Sequence, residues 1–207
     1  MSPERRRARI ELGAMLATGV LFLVFENFLH LKLPFLIPCA ILWIAYFLHR
    51  LVNDRSLAAE WGLRLDNLKA AAPPILGTFV AGALALLGWH LAVGGGAMSR
   101  GAWIIFLIYP VWSFLQQFVL QALIASNLET LGLARAAVVP ITAALFGLAH
   151  LPDVPLAALC AVAGVIWTAI YLRCRHLPLL AVTHAWLGAL AFYWVLQRDP
   201  WGEMFPR

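Results

Sequence analysis

Long apolar runs, separated by short polar stretches, make up most of the chain. Most of these runs approach the roughly 20 residues that an α-helix needs to cross a bilayer. The pattern therefore predicts an all-α polytopic membrane bundle of about seven transmembrane helices. The fifth run is the shortest, and Pro140 near its start predicts a helix that begins below the membrane interface or is kinked. The predicted segments are Leu12 to His30, Pro34 to Val52, Pro74 to Val93, Ala102 to Ile124, Ala136 to Leu151, Pro155 to Leu172, and Leu177 to Leu196.

The polar connection between the second and third runs mixes charges with Trp61 and several leucines. That mixture suits a segment lying on the membrane surface, and it is equally compatible with an ordinary solvated loop. The sequence contains no evident soluble domain or internal repeat. Residues 1–207 are therefore predicted to form a single integral membrane domain.

Composition agrees with a membrane protein. Of the 207 residues, 63% are hydrophobic and only 12% are charged, and the mean hydropathy is +0.84. A soluble domain has about half of its residues apolar and about a quarter charged. Membrane lipids are accordingly the first expected partners.

The net charge of +5 is explained by topology. The cations flank apolar runs instead of forming a patch, so no nucleic-acid partner is expected. With seven alternating spans and a cytoplasmic N-terminus, 11 of the 15 Lys and Arg residues fall inside, as the positive-inside rule predicts. We expect a bacterial inner-membrane protein with its N-terminus inside and its C-terminus outside. The four cations predicted to lie outside are Lys32, Arg100, Arg198 and Arg207.

Three glutamines interrupt the fourth apolar run, at Gln116, Gln117 and Gln121. A buried amide needs a partner, because moving it away from water unpaired costs roughly 2 to 7 kcal/mol. Gln117 and Gln121 are four residues apart and share a helix face, whereas Gln116 points about 100° away. These amides either join packed helices through hydrogen bonds or belong to a site.

Two histidines lie deep in later runs, His150 at the end of ITAALFGLAH and His184 within AVTHAWLGAL. Each could be a structural residue, His150 at a helix end and His184 in the core. Two deep histidines on separate helices nevertheless favour a site. Asp153 follows His150 closely and could support it.

Glu26 and Asn27 lie near the outer end of the first run. An ionised carboxylate at this depth is costly unless it is paired or reaches the interface. Interfacial anchoring would explain the pair, and His30 one turn later could bind Glu26.

The order of these polar residues resembles the CPBP family of CAAX prenyl proteases and bacteriocin-processing enzymes, also called the Abi family. The resemblance extends from about Trp61 to Val195, and it implies a CAAX-protease-like core. The family motifs are Glu-Glu-x-x-x-Arg, Phe-x-x-x-His and His-x-x-x-Asn. The matching positions here read Gln116-Gln117-x-x-x-Gln121, Phe146-x-x-x-His150 and His184-x-x-x-Gly188.

The resemblance implies that position 116 holds the general base and that the two histidines position a water and stabilise an oxyanion. An amide such as Gln116 cannot accept a proton at any relevant pH, so this chain departs from the family chemistry at its centre. If the chain is a peptidase, then His150, His184, Glu26 or Asp153 must supply the base.

The leading hypothesis is therefore an intramembrane endopeptidase that processes a membrane-attached substrate, such as a lipidated tail, a leader peptide or a C-terminal signal. The alternative is a catalytically inactive relative that acts as a binding, immunity or scaffold protein. No cofactor is expected. A metal held by His150, His184 and one carboxylate is a further alternative, which no local ligand motif supports.

Overall fold

In the computed structural model, which describes residues 1–204, the chain folds into helices joined by short connections. No strand is present in this part of the chain, so the prediction of an all-helical bundle is confirmed. Arg207, which we assigned to the outer side, lies beyond the described residues. The elements are α1 Pro3–Asn27, α2 Lys32–Asn53, α3 Leu57–Glu60, α4 Leu68–Ala92, α5 Ala102–Gln117, a π-helix Phe118–Ala125, α6 Ser126–Thr130, α7 Arg135–Leu148, α8 Val154–Cys174, α9 Leu177–Trp194 and α10 Pro200–Met204.

Within residues 1–204, six helical segments are long and apolar enough to cross a membrane. The fifth predicted segment, Ala136 to Leu151, corresponds to α7, which has 14 residues and a length of about 21 Å. A bilayer core is about 30 Å thick, so α7 is shorter than a full span, as the short fifth apolar run indicated. Pro140 lies inside α7 and does not end it; the helix ends at Leu148, four residues before Pro152.

Contacts between connections divide the bundle into two ends. The N-terminus and the connections after α2, α6 and α8 meet at one end, and the connections after α1 and α7 meet the C-terminal segment at the other. This arrangement requires α7 to run from one end toward the other despite its short length. The contacts that define the ends are Arg5 to the carbonyls of Thr130 and Leu131, Arg175 to Glu60 and Glu129, Arg198 to Asp153, and the action of the Glu26 and Lys32 charges on His150.

The π-helix lies at the centre of the core. It continues α5 without a break, and seven of its eight residues are buried. The ring of Phe118 packs against Phe47 and Trp61, at centroid distances of 4.5 Å and 5.1 Å. A π-helix is uncommon and often marks a functional segment, because its wider turn changes which side chains share a face.

The connection between α2 and α4 is docked on the bundle. Leu57 and Trp61 are only 2% and 3% exposed, so the segment does not simply lie on the membrane surface. Gly62 has φ +76°, and a Cβ there would come within 2.5 Å of the Arg175 carbonyl oxygen. Its own carbonyl accepts a hydrogen bond of 2.9 Å from the Leu177 amide. This connection is thus held against the turn between α8 and α9.

Candidate active site

Two of the three glutamines form the start of a buried hydrogen-bond network. Gln117 and Gln121 have no solvent exposure. The Gln121 Nε2 donates to Gln117 Oε1 at 3.1 Å and to Thr168 Oγ1 on α8 at 3.3 Å. The network therefore joins the α5 and π-helix segments to α8.

His184 on α9 completes this network. Its Nδ1 lies 2.9 Å from Gln117 Nε2. In this orientation the amide nitrogen donates and Nδ1 accepts, so Nε2 of the neutral imidazole carries the proton. The network is neutral throughout and presents one N–H of His184 away from the glutamines.

Aromatic rings surround His184. The imidazole lies 4.2 Å from the Trp167 ring centroid, 5.7 Å from that of Phe146 and 6.1 Å from that of Tyr109. A Cβ at Gly188 would come within 3.1 Å of Tyr109 Cε1, so the glycine at the last motif position allows Tyr109 to approach. These rings fix the plane of the imidazole.

His150 lies in the turn after α7, four residues after Phe146. Its Nδ1 is 2.8 Å from the Phe146 carbonyl oxygen, which can only accept, so Nδ1 carries the proton and Nε2 has a free lone pair. The Phe146 ring is 5.0 Å from the His150 ring. The two histidines therefore contact the same phenyl ring and present opposite functions, a lone pair on one and an N–H on the other.

Close packing of α7 on α8 positions Phe146 and His150. A Cβ at Gly147 would lie 2.9 Å from the Ala157 carbonyl oxygen, and a Cβ at Gly164 would lie 2.9 Å from the Ala143 Cα. The two helices could not approach this closely with larger residues at these positions.

Gln116 is not part of the network. Its Oε1 is buried and has no hydrogen-bond partner within residues 1–204. The position that the family resemblance assigns to the general base thus holds an unpaired amide oxygen.

The acidic candidates are engaged elsewhere. Glu26 forms an ion pair with Lys32 and not with the exposed His30. Asp153 accepts from the Leu156 amide at 3.1 Å, capping α8, and forms an ion pair with Arg198. Asn27 is half-buried and forms no side-chain hydrogen bond in the described part of the chain. The charges of Glu26, Lys32 and Asp153 nevertheless act on the His150 ring.

The described residues contain no group of three or more His, Cys, Asp and Glu side chains that could hold a metal ion. Both carboxylates that a two-histidine metal site would use are bound by Lys32 and Arg198. The metal alternative therefore gains no support from the geometry.

A second buried network was missed by the sequence reasoning. Glu11 on α1 is 6% exposed and accepts from Arg50 and from the Tyr46 hydroxyl. Asn127 Nδ2 donates to Glu11 Oε2 at 2.7 Å. An acidic residue next to a long apolar run is the signal that could have identified it. The other residues around His184 carried no such signal, because these residue types are common in membrane helices. These other residues are Thr168, Trp167 and Tyr109.

Residues 98–190 match the family model described as "Rce1-like: Type II CAAX prenyl endopeptidase Rce1-like". The matched range includes Gln117, Gln121, His150 and His184. It confirms the resemblance to CAAX proteases and the interpretation as a membrane protein, over a shorter range than 61–195. No curated protein and no solved structure matches the chain.

Proposed function

We propose that this CAAX-protease-like chain is an intramembrane endopeptidase that uses its two histidines where related enzymes use a carboxylate. The observation that carries the proposal is that His150 and His184 pack against the same Phe146 ring, at centroid distances of 5.0 Å and 5.7 Å. One presents a lone pair on Nε2, and the other presents an Nε2–H. These are the two groups that water-mediated peptide hydrolysis requires.

In the proposed reaction, His150 Nε2 takes a proton from a water while the water oxygen forms a bond with the scissile carbonyl carbon. Burial lowers the pKa of His150 below the ordinary imidazole value of about 6.5, so at neutral pH the ring is uncharged and its Nε2 lone pair is available to accept a proton. The His184 Nε2–H donates to the oxyanion that develops on the carbonyl oxygen. As the C–N bond breaks, the His150 imidazolium returns its proton to the leaving amine.

The glutamines act in this proposal as positioning residues. Gln117 donates to Nδ1 of His184 and thereby holds the proton on Nε2, while Gln121 orients Gln117. General-base catalysis typically contributes 10² to 10⁴-fold, and one oxyanion donor contributes about 10² to 10³-fold. Both histidines should therefore be indispensable for turnover, with the glutamines contributing less.

The proposed substrate is a membrane-attached peptide, because the histidines lie among membrane-spanning helices. A lipidated tail, a leader peptide and a C-terminal signal all fit this description. If the arginine bias predicts the orientation correctly, then His150 lies toward the outer face, which favours exported substrates.

The test compares the termini of membrane and exported proteins by mass spectrometry in hosts carrying the wild type, His184→Ala or His150→Ala. His49→Ala is the matched control, because His49 is exposed and, within residues 1–204, its ring forms hydrogen bonds only with Asn53. We expect a set of termini to vanish in both site variants and to persist in the control. Unchanged termini, with the variant protein still present in the membrane, would overturn the proposal and leave a binding protein with a protease fold.

The different roles proposed for His150 and His184 can be tested separately, through their tautomers. Nitrogen-15 NMR of labelled imidazoles distinguishes the two neutral tautomers. We expect the Nε2–H form for His184 and the Nδ1–H form for His150. In Gln117→Leu the His184 preference should be lost, while that of His150 should remain; reversed tautomers in the wild type would contradict the assigned roles.

A further inference from the structure

A cavity of about 450 Å³ opens between the first turns of α1 and the end of α2, far from the two histidines along the chain. Its walls combine two arginines with apolar side chains. The lining residues used in the argument below are Met1, Arg6, Arg7, Ile10, Glu11 and Tyr46. We propose that this cavity binds the headgroup of an anionic phospholipid.

The charge balance of the cavity favours an anion. The carboxylate of Glu11 is already bound by Arg50, Tyr46 and Asn127. The side chains of Arg6 and Arg7, by contrast, form no hydrogen bond or ion pair with residues 1–204. Two uncompensated guanidinium groups therefore face the cavity.

The carboxylate of Asp54 competes only weakly for Arg7. The charge of Arg7 acts on Asp54, which is fully exposed. The Asp54 carboxylate is already bound by the amide and hydroxyl groups of Ser56, at 3.0 Å and 2.5 Å. Arg7 thus remains available to a ligand.

The depth and shape of the cavity favour a lipid over a free anion. Ile10 and Glu11 directly precede the first apolar run, which places the cavity where a membrane helix meets the headgroup layer. A planar guanidinium binds phosphate oxygens through two parallel N–H bonds. Met1 and Ile10 would cover the glycerol and first acyl carbons, for which inorganic phosphate has no equivalent.

The cavity is also connected to the core. Asn127, which donates to Glu11, donates to the Leu123 carbonyl of the π-helix at 2.8 Å. A lipid held at Arg6 and Arg7 would therefore brace α1 against the helix that carries Gln117 and Gln121. This inference does not depend on whether the protein cleaves peptides.

The experiment measures lipid binding to the full chain in detergent by native mass spectrometry, with phosphatidylglycerol and phosphatidylcholine of the same acyl chains. A basic residue near an anionic membrane surface contributes about a five-fold change in affinity, so the Arg6→Ala/Arg7→Ala variant should lose about 30-fold for phosphatidylglycerol. Phosphatidylcholine binding should not change. Arg9→Ala is the matched control, because it removes an exposed arginine of the same helix that does not line the cavity.

A second variant tests the site even if the double arginine variant fails to fold. Ile10→Trp keeps both charges and fills the cavity, and it should also weaken phosphatidylglycerol binding. Equal binding of both lipids to the wild type, or an equal loss in Arg9→Ala, would overturn the site. Displacement of phosphatidylglycerol by millimolar inorganic phosphate would show a site for free anions and would overturn the lipid assignment.

Discussion

The chain contains two buried polar networks, one made only of neutral groups and one that includes an ion pair. The first is neutral and lies within the membrane-spanning helices, with an imidazole at its end. The second contains a carboxylate and a guanidinium and lies at the end of the bundle where the N-terminus is found. Their members are Gln117, Gln121, Thr168 and His184 in the first, and Glu11, Tyr46, Arg50 and Asn127 in the second.

The difference follows from the surroundings of each network. A charge deep in a bilayer is expensive, whereas one near the interface can keep contact with water. In the interior, amide partners satisfy an imidazole without adding charge. Near the interface, Glu11 and Arg50 can remain ionised because they bind each other and two further hydrogen-bonding groups. The first network thus preserves a neutral histidine, and the second fixes α1 and α2 to the core.

The largest expected effect comes from removing the carboxylate of the charged network. Glu11→Ala leaves Arg50 buried without its partner, since the side chains are only 7% and 13% exposed. We expect the free energy of unfolding to fall by about 3 to 5 kcal/mol, measured in mixed micelles titrated with SDS. The double variant Glu11→Ala/Arg50→Met should recover much of the loss.

Asp66→Ala is the matched control for this change, because Asp66 forms an exposed ion pair with Arg64. Its unfolding midpoint should equal that of the wild type. A Glu11→Ala variant as stable as this control would show that the charged network does not hold the bundle together.

An intermediate effect is expected in the neutral network. Gln117→Leu leaves Nδ1 of His184 and one N–H of Gln121 without partners. Hydrogen bonds between membrane helices contribute about 0.6 kcal/mol each on average, and no charge is left unpaired, so the loss of two such bonds should cost about 1 to 2 kcal/mol and stay below that of Glu11→Ala in the same titration. If Gln117→Leu lowers the free energy of unfolding more than Glu11→Ala does, then the neutral network, and not the charged one, contributes more to stability.

The smallest effect is expected at the edge of the neutral network. Thr168→Val keeps the shape of the side chain and removes one acceptor, at 3.3 Å from Gln121 Nε2. Hydrogen bonds between membrane helices contribute about 0.6 kcal/mol on average, and we expect a loss of that order. If Thr168→Val costs as much as Gln117→Leu, then the network depends on α8 as strongly as on α9.

The positions of the helices were largely predictable because hydropathy reports directly on membrane insertion. The last predicted segment, Leu177 to Leu196, corresponds closely to α9, Leu177–Trp194. The first helix, however, begins at Pro3, well before Leu12. The π-helix was also missed, since an apolar run has no feature that distinguishes a π-helix from an α-helix.

The candidate site was predictable as a list of polar residues and much less as a set of contacts. Gln117, Gln121 and His184 were singled out, and the structure brings them together. Glu26 and Asp153 were singled out for the same reason but bind cations instead. Partner choice depends on how helices pack, and the one-dimensional pattern does not contain that information.

The docking of Gly62 on the turn between α8 and α9 has a consequence for biosynthesis. In the same contact, Asn67 Nδ2 donates to the Cys174 carbonyl, 107 positions later in the chain. A ribosome that has just released the connection after α2 has not yet made the residues to which it binds. The connection after α2 therefore cannot dock on the turn between α8 and α9 until four further membrane-embedded helices have been translated. Insertion of the early helices and closure of this end of the protein are therefore separate events. Closure requires the hairpin of α8 and α9, which is translated after the other spanning helices.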